Sequence, residues 1–142
     1  QNPHRLQLGK SGMEIIKKNG TIASIDDSQN IHQTLNAWTG GIHSHFTVEN
    51  IPVDVFTYCH QQQDLVAFRI SSPFLKEKRL QVRIRFPYPT GDFKDIGANW
   101  QDVGKHTSYF TTNGKGGVIC HVLDSTKYQL EFRGEKGQHQ AI

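Results

Sequence analysis

Eight histidines are spread over the 142 residues, and one pair falls at a spacing that bears on chemistry. His43-Ser44-His45 puts two imidazoles two positions apart, and on an extended strand such residues project from the same side. Two imidazoles on one side suit zinc or another transition metal, and His60 would be the third ligand. A structural zinc site needs four ligands, often with cysteine, and a catalytic one needs three plus water. Cys59, adjacent to His60, points to the other face of an extended strand, and no carboxylate stands at a diagnostic spacing. The expectation is therefore no metal and no other cofactor.

Other catalytic constellations are equally incomplete. A pair of carboxylates for sugar hydrolysis would stand about 5–10 Å apart across a cleft. Asp92, Asp95 and Asp102 share one irregular segment and Glu131 lies in the last apolar run, but nothing selects two of them. Acidic residues among glycines are ordinary turn formers. No Gly-x-Ser-x-Gly elbow is present, and Cys59-His60 point apart. Gly114-Lys115-Gly116-Gly117 lies between two strand-like runs, so it reads as a hairpin turn and not as a phosphate loop. No catalytic residue is assigned.

These side chains must be positioned by strands. Hydrophobic residues make up 35% of the chain, low for a helical bundle, and are rich in the Ile, Val, Thr, Phe and Tyr that suit a pleated surface. Thirteen Gly and five Pro gather between the apolar runs and supply turns. Alternating runs are expected at His4–Lys10, Gly12–Lys18, Thr21–Asp26, Ile31–Trp38, Ile42–Glu49, Val53–His60, Leu65–Ser72, Arg79–Phe86, His106–Thr112, Val118–Leu123 and Lys127–Arg133. Asn19-Gly20 is a hairpin signal between the second and third. About ten short strands, with no sustained helical period, predict an all-β fold: one antiparallel β-sandwich domain over residues 1–142 with little or no helix. The segment Thr90–Lys105, carrying Phe93, Ile96 and Trp100, is long for a loop and is expected to be functional or an interdomain contact. The polar tail from Gly134 to Ile142 is expected to fray.

Charge excludes some partners. The net charge of +3 is too small for nucleic acid, which calls for a clustered basic face. In the most basic stretch Arg79, Gln81, Arg83 and Arg85 alternate with Leu80, Val82, Ile84 and Phe86, the pattern of a solvated strand face. No apolar run reaches the roughly 20 residues of a membrane-crossing helix. Cys59 and Cys120 lie in strand-like runs and are expected as buried thiols, not a bridge. The chain opens on Gln1-Asn2-Pro3 with no initiating Met, and reads as a segment of a longer protein.

The hairpin of residues 42–60 is the informative element. With Asn50 and Ile51 as a two-residue turn, Val48 faces Val53, Phe46 faces Val55, Ser44 faces Thr57 and Ile42 faces Cys59, an apolar face expected in the core. The opposite face pairs Thr47 with Asp54, His45 with Phe56 and His43 with Tyr58, and continues to His60. A turn at Glu49-Asn50 slides the pairs but keeps each face together, whereas a three-residue loop flips one strand. The outer face thus collects His43, His45, Phe56, Tyr58 and His60, read as a domain interface or a sugar platform.

The stretch Trp38-Thr39-Gly40, then Pro52-Val53-Asp54-Val55 leading to Thr57 and His60, then Arg69-Ile70-Ser71-Ser72, resembles a known family. It is similar to the N-terminal β-sandwich ("supersandwich") domain of bacterial glycosidases and disaccharide phosphorylases with an (α/α)6 barrel, such as the maltose phosphorylase and α-fucosidase groups. Phe86-Pro87-Tyr88-Pro89 also looks like uncharacterised members from gut Bacteroidetes. The likeness covers roughly residues 31–90 and its motifs are structural. It implies a non-catalytic accessory domain packing against a helical catalytic barrel of the parent chain, which supplies the catalytic acid, and a periplasmic or secreted parent. It favours the interface reading of the outer face. The alternative is a carbohydrate-binding module with an oligosaccharide as partner, using Phe56, Tyr58, Trp38 or Trp100 as platform. A third reading is a small metal-dependent β-sandwich enzyme centred on His43, His45 and His60.

Overall fold

The computed structural model describes residues 7–90, 96–112 and 115–134. Among the described residues nine strands follow one another: β1 (Lys10–Ile15), β2 (Ser28–Asn36), β3 (Gly41–Val48), β4 (Ile51–Cys59), β5 (Val66–Ser71), β6 (Leu80–Arg85), β7 (His106–Thr112), β8 (Gly116–Leu123) and β9 (Thr126–Arg133). The only helical pieces among the described residues are three single 3-10 turns, at Ile25–Asp27, Pro73–Leu75 and Val103–Lys105. The strands form sheets of order β1-β6, β2-β3-β4-β5 and β7-β8-β9, the latter two antiparallel throughout. The all-β antiparallel class expected from the sequence is the one the chain adopts. No helix of the described residues is long and apolar enough to cross a membrane. The chain forms two compact units, Gly12–Arg83 and Gln1–Ser11 with Ile84–Ile142.

The first unit is a two-layer sandwich. Ile15 from β1 and Leu80 from β6 meet Val48, Val53 and Val55 from the larger sheet, and Phe74 closes the space between them. Phe74 and Val53 have no exposed surface at all. Ser72 holds Phe74 there: its hydroxyl accepts from the Phe74 amide at 3.3 Å and donates to Pro52 O at 2.8 Å. The buried set occupies the half of the sheet next to the β3–β4 turn. Further along the same face Leu35, Phe68 and Val66 are exposed, and so is Cys59, which was expected to be buried.

The β3–β4 turn decides the register. Val48 pairs with Ile51, Phe46 with Val53, Ser44 with Val55 and Ile42 with Thr57, so Glu49-Asn50 is the turn, one residue earlier than Asn50-Ile51. Both turn residues have positive φ, 52° and 62°, as a type I′ turn requires. Ile51 in that position would put a β-branched side chain into the left-handed region, which is costly. Asn50 tolerates it, and Glu49 is held by Arg79, whose Nη2 donates to the Glu49 carboxylate, and by the Lys18 amide at 3.0 Å. Arg79 is therefore a half-buried clamp, unlike the solvated residue its alternation suggested. Its Nε donates to Ile16 O at 2.7 Å and its guanidinium lies 4.8 Å from the Phe74 ring centre.

The expected strand Thr21–Asp26 does not form. Gly20, with φ 84°, bends the chain, and the only ladder contact beyond the turn is Ile16 with Ile22. Asp27 then accepts from the Ser24 amide at 2.7 Å and from Lys17 Nζ at 2.9 and 3.0 Å, winding residues 25–27 into a 3-10 turn. Those bonds hold the Asp27 carboxyl down at about 2, the Ser24 amide contributing most.

In the second unit β7, β8 and β9 form a meander, one face of which carries His106, Ser108, Phe110, Ile119, His121, Leu123, Tyr128, Leu130 and Phe132 by register. Phe110 and Phe132 stack with centres 5.5 Å apart. Tyr88 and Asn99 exchange two backbone bonds of 2.8 Å, which pins the far side of the long loop. Phe93, Asp92 and Asp95, the turn at Asn113-Gly114, the start of the first expected run and the tail beyond Gly134 lie outside the described residues.

Candidate binding face of the four-stranded sheet

The outer face of β2–β5 is assembled by register. Row by row, His32, His45, Asp54 and Ser71 lie across the four strands, followed by Thr34, His43, Phe56 and Arg69, then Asn36, Gly41, Tyr58 and Ala67. His43, His45, Phe56 and Tyr58 thus share one face, as their period-two spacing predicted, with cross-strand partners shifted by the turn. The apolar side chains of β3 and β4 take the other face because only that one is covered.

Asp54 organises the centre. His43 Nε2 and His45 Nδ1 both lie 3.0 Å from the same oxygen, Asp54 Oδ1, and all three side chains are about one third exposed. A carboxylate accepts only, so each ring carries a proton on the nitrogen facing Asp54 and leaves His43 Nδ1 and His45 Nε2 as its outer nitrogens. The bond from His45, then that from His43, holds the Asp54 carboxyl below its usual range. One nitrogen of each ring is thus engaged by the carboxylate and not by a metal ion. Among the described residues no group of three or more His, Cys, Asp or Glu is arranged to hold one. Nor does any described hydroxyl or thiol hydrogen-bond to the outer nitrogens, so an oriented imidazole is present without a nucleophile on it.

The rings differ in what they present. His43 lies flat against Phe56, with centres 4.1 Å apart and planes within 2°. Arg69 stands 5.8 Å from the Phe56 centre. Two cross-strand rings stacked on each other offer their edges outward, and each spends one face on the other. Tyr58 instead lies over Gly41: a Cβ on that glycine would be 2.6 Å from Tyr58 Cε1. His60 turns into the β4–β5 loop, where its Nδ1 accepts from the Gln62 amide at 3.1 Å. It does not join His43 and His45. Trp100 belongs to the second unit, where the Arg85 guanidinium covers its ring at 5.3 Å.

Asp54 was placed on this face by its spacing but not taken as a site residue, and neither were His32 and Arg69. Asp54 was within reach, since it alternates with Phe56 and Tyr58. His32 was not, because β2 carries a register break between Gln29 and His32 with Asn30 at φ 53°, which resets its phase. His121 was also missed. It is fully buried, with Ser108 Oγ 2.9 Å from its Nδ1 and Phe86 stacked 4.4 Å away. Burial, then the neighbouring His106, lowers its pKa.

No protein-family model, curated protein or solved structure matches the chain.

Proposed function

We propose that this chain is a non-catalytic accessory β-domain of a glycoside hydrolase, secreted or periplasmic, which packs the His45, His43 and Arg69 part of its outer β2–β5 face against a helical catalytic domain of the same parent protein. The observation that carries the reading is the cluster His45, Asp54, His43 and Phe56, which spans two adjacent rows. One nitrogen of each imidazole is fixed by Asp54 and the His43 ring is stacked on Phe56, so the cluster offers outward the other two imidazole nitrogens, ring edges and the Arg69 guanidinium. Such a preorganised, mixed polar and aromatic surface suits a protein partner, where aromatic and Arg side chains are favoured. It is a poor platform for a sugar, which needs a free ring face. The likeness to glycosidase and phosphorylase sandwich domains rests on residues that make up β2–β5, and it adds the class of the parent.

Two measurements test this. Reading the coding sequence past Ile142 is expected to give several hundred residues with helical patterning, and a stop codon directly after Ile142 would refute the proposal. In the full-length enzyme, the double substitution His45→Glu, Arg69→Glu should expose the interdomain region to limited proteolysis while leaving the far-UV circular dichroism of this chain unchanged. Equal protease resistance would argue against this face as the contact.

A further inference from the structure

The end of the four-stranded sheet where β3 begins and β4 finishes differs from the rest of that face. Tyr58 lies on the Gly41 backbone, with 2.6 and 3.1 Å from a would-be Cβ to Tyr58 Cε1 and Cδ1, so one side of the ring rests on the sheet. The residue is 47% exposed, and no ring in the described structure stacks on its other side. The β2–β3 connection that leads into Gly41 displays Trp38 at 95% exposure. That connection is a built turn. Asn36 Oδ1 accepts from the Trp38 and Thr39 amides at 3.0 and 3.2 Å, Gly40 donates to Asn36 O at 2.8 Å, and Thr39 Oγ1 accepts from Gly41 at 3.3 Å. Holding an indole in water on an ordered turn forgoes its burial energy, and large exposed aromatics of this kind mark binding surfaces.

An open pocket at the same end is lined by Thr39, Cys59, His60, Gln61 and Gln62. No Lys, Arg, Asp or Glu is among those residues, so the pocket offers no charge to recruit an ion. Among the described residues the side-chain amides of Gln61 and Gln62 have no hydrogen-bond partner, and each brings two donors and an acceptor. His60 spends Nδ1 on the Gln62 amide and keeps Nε2 for another partner. A flat apolar ring face at the same end of the sheet as uncharged donors and acceptors, with Thr39 common to the Gly41 surround and the pocket, matches a pyranose: the C–H face of the sugar lies on the aromatic ring while its rim of hydroxyls meets amides and imidazole.

We propose that this end of the sheet is a binding site for a neutral oligosaccharide, with one sugar ring stacked on Tyr58, Trp38 flanking it, and Thr39, His60, Gln61 and Gln62 taking its hydroxyls. This deepens the accessory-domain reading, on which it rests for the ligand class, and gives the domain a task separate from docking.

The test is titration of the isotopically labelled 142-residue chain with maltotriose, cellotriose, xylotriose and 2′-fucosyllactose, each to about 10 mM, which reaches the weak end of ligand affinities. At least one of the four should move the backbone amide signals of Thr39, Gly41, Gln61 and Gln62 in a saturable manner. Trp38→Ala and Tyr58→Ala should each weaken that binding about tenfold or more. Gly41→Ala should do the same with Tyr58 still present, by lifting its ring off the backbone. Should Gly41→Ala fail to fold, Trp38→Ala decides, since so exposed a side chain holds nothing together. Absence of saturable shifts with all four sugars overturns the proposal, and so does binding that survives both aromatic substitutions. If no sugar binds while a helical catalytic domain is encoded downstream, the sugar site falls and the accessory role stands. The reverse pair of results leaves the site and removes the role.

Discussion

His121 should make this fold sensitive to mild acid. Its imidazole is fully buried on the inner face of the β7–β8–β9 sheet, flanked by Phe86 at 4.4 Å, His106 at 4.9 Å and Tyr128 at 5.2 Å. Ser108 serves Nδ1, and Nε2 has no hydrogen-bond partner among the described residues. A neutral ring tolerates this with one bare acceptor nitrogen. A protonated ring would bury a second N–H and a charge among aromatic rings, so burial and then His106 lower the folded pKa beneath the ordinary 6.5. The unfolded chain therefore takes up the proton first. Above pH 6.5 both states are neutral and His121 has no effect on the pH dependence. Below it, stability falls as the pH drops, until the folded value is reached. The loss attributable to His121 grows as the pH falls through that window, because there the unfolded ring binds a proton more readily than the folded one. Urea unfolding followed by circular dichroism from about pH 8 to pH 5.5 measures it. His121→Phe and His121→Gln do not titrate, so subtracting their pH profiles from that of the parent removes the contributions of the other histidines. Both variants should show a flatter profile than the parent. Parallel profiles would refute the reasoning, because they would mean that the ring is protonated in the folded state at no cost.

Two further outcomes follow from the first unit. Phe74→Ala empties the centre of the sandwich and removes the ring beneath Arg79. A fully buried Phe-to-Ala change costs about 3–5 kcal/mol, a large share of a small domain's stability, and a urea midpoint within error of the parent would show that Phe74 does not close the core. The Asp54 carboxyl, held low by His45 and His43, stabilises the fold above its ordinary value of 3.8 and loses that contribution as the pH falls through the folded value. Asp54→Asn should therefore lose less stability than the parent between about pH 5 and pH 3 in the same urea assay. An equal loss in both would mean that the shared oxygen bonds do not favour the ionised form.

The strand rhythm was legible before any coordinates. Ile42–Glu49 and Val53–His60 alternate so strictly that their two faces could be sorted with the turn position still open, because either two-residue turn preserves the sorting and only an odd loop would reverse it. Hence His43, His45, Phe56 and Tyr58 fall together as expected, and Phe46, Val53 and Val55 fall on the other side. What alternation cannot carry is anything that depends on which residues meet across strands. The turn settled at Glu49-Asn50 because Asn tolerates positive φ and Ile does not, and because Arg79, thirty residues away in sequence, holds Glu49 there. That one-residue shift is what sets Asp54 opposite His45 and Phe56 opposite His43.

Tertiary structure also decided which apolar side chains are core. Cys59, Phe68 and Val66 have the pattern of buried residues and are exposed, while His121, polar by composition, is buried completely. The physical reason is that a side chain's period reports the direction in which it points. Whether anything lies in that direction depends on a second layer of structure, and here that layer is only two strands and a 3-10 turn, enough to cover one half of the sheet. The amino-acid sequence by itself determined the all-β class, most of the strand positions and the two faces of the central hairpin. The cross-strand partners, the extent of the core and the ring that lies open on Gly41 were decided only when the strands were brought together.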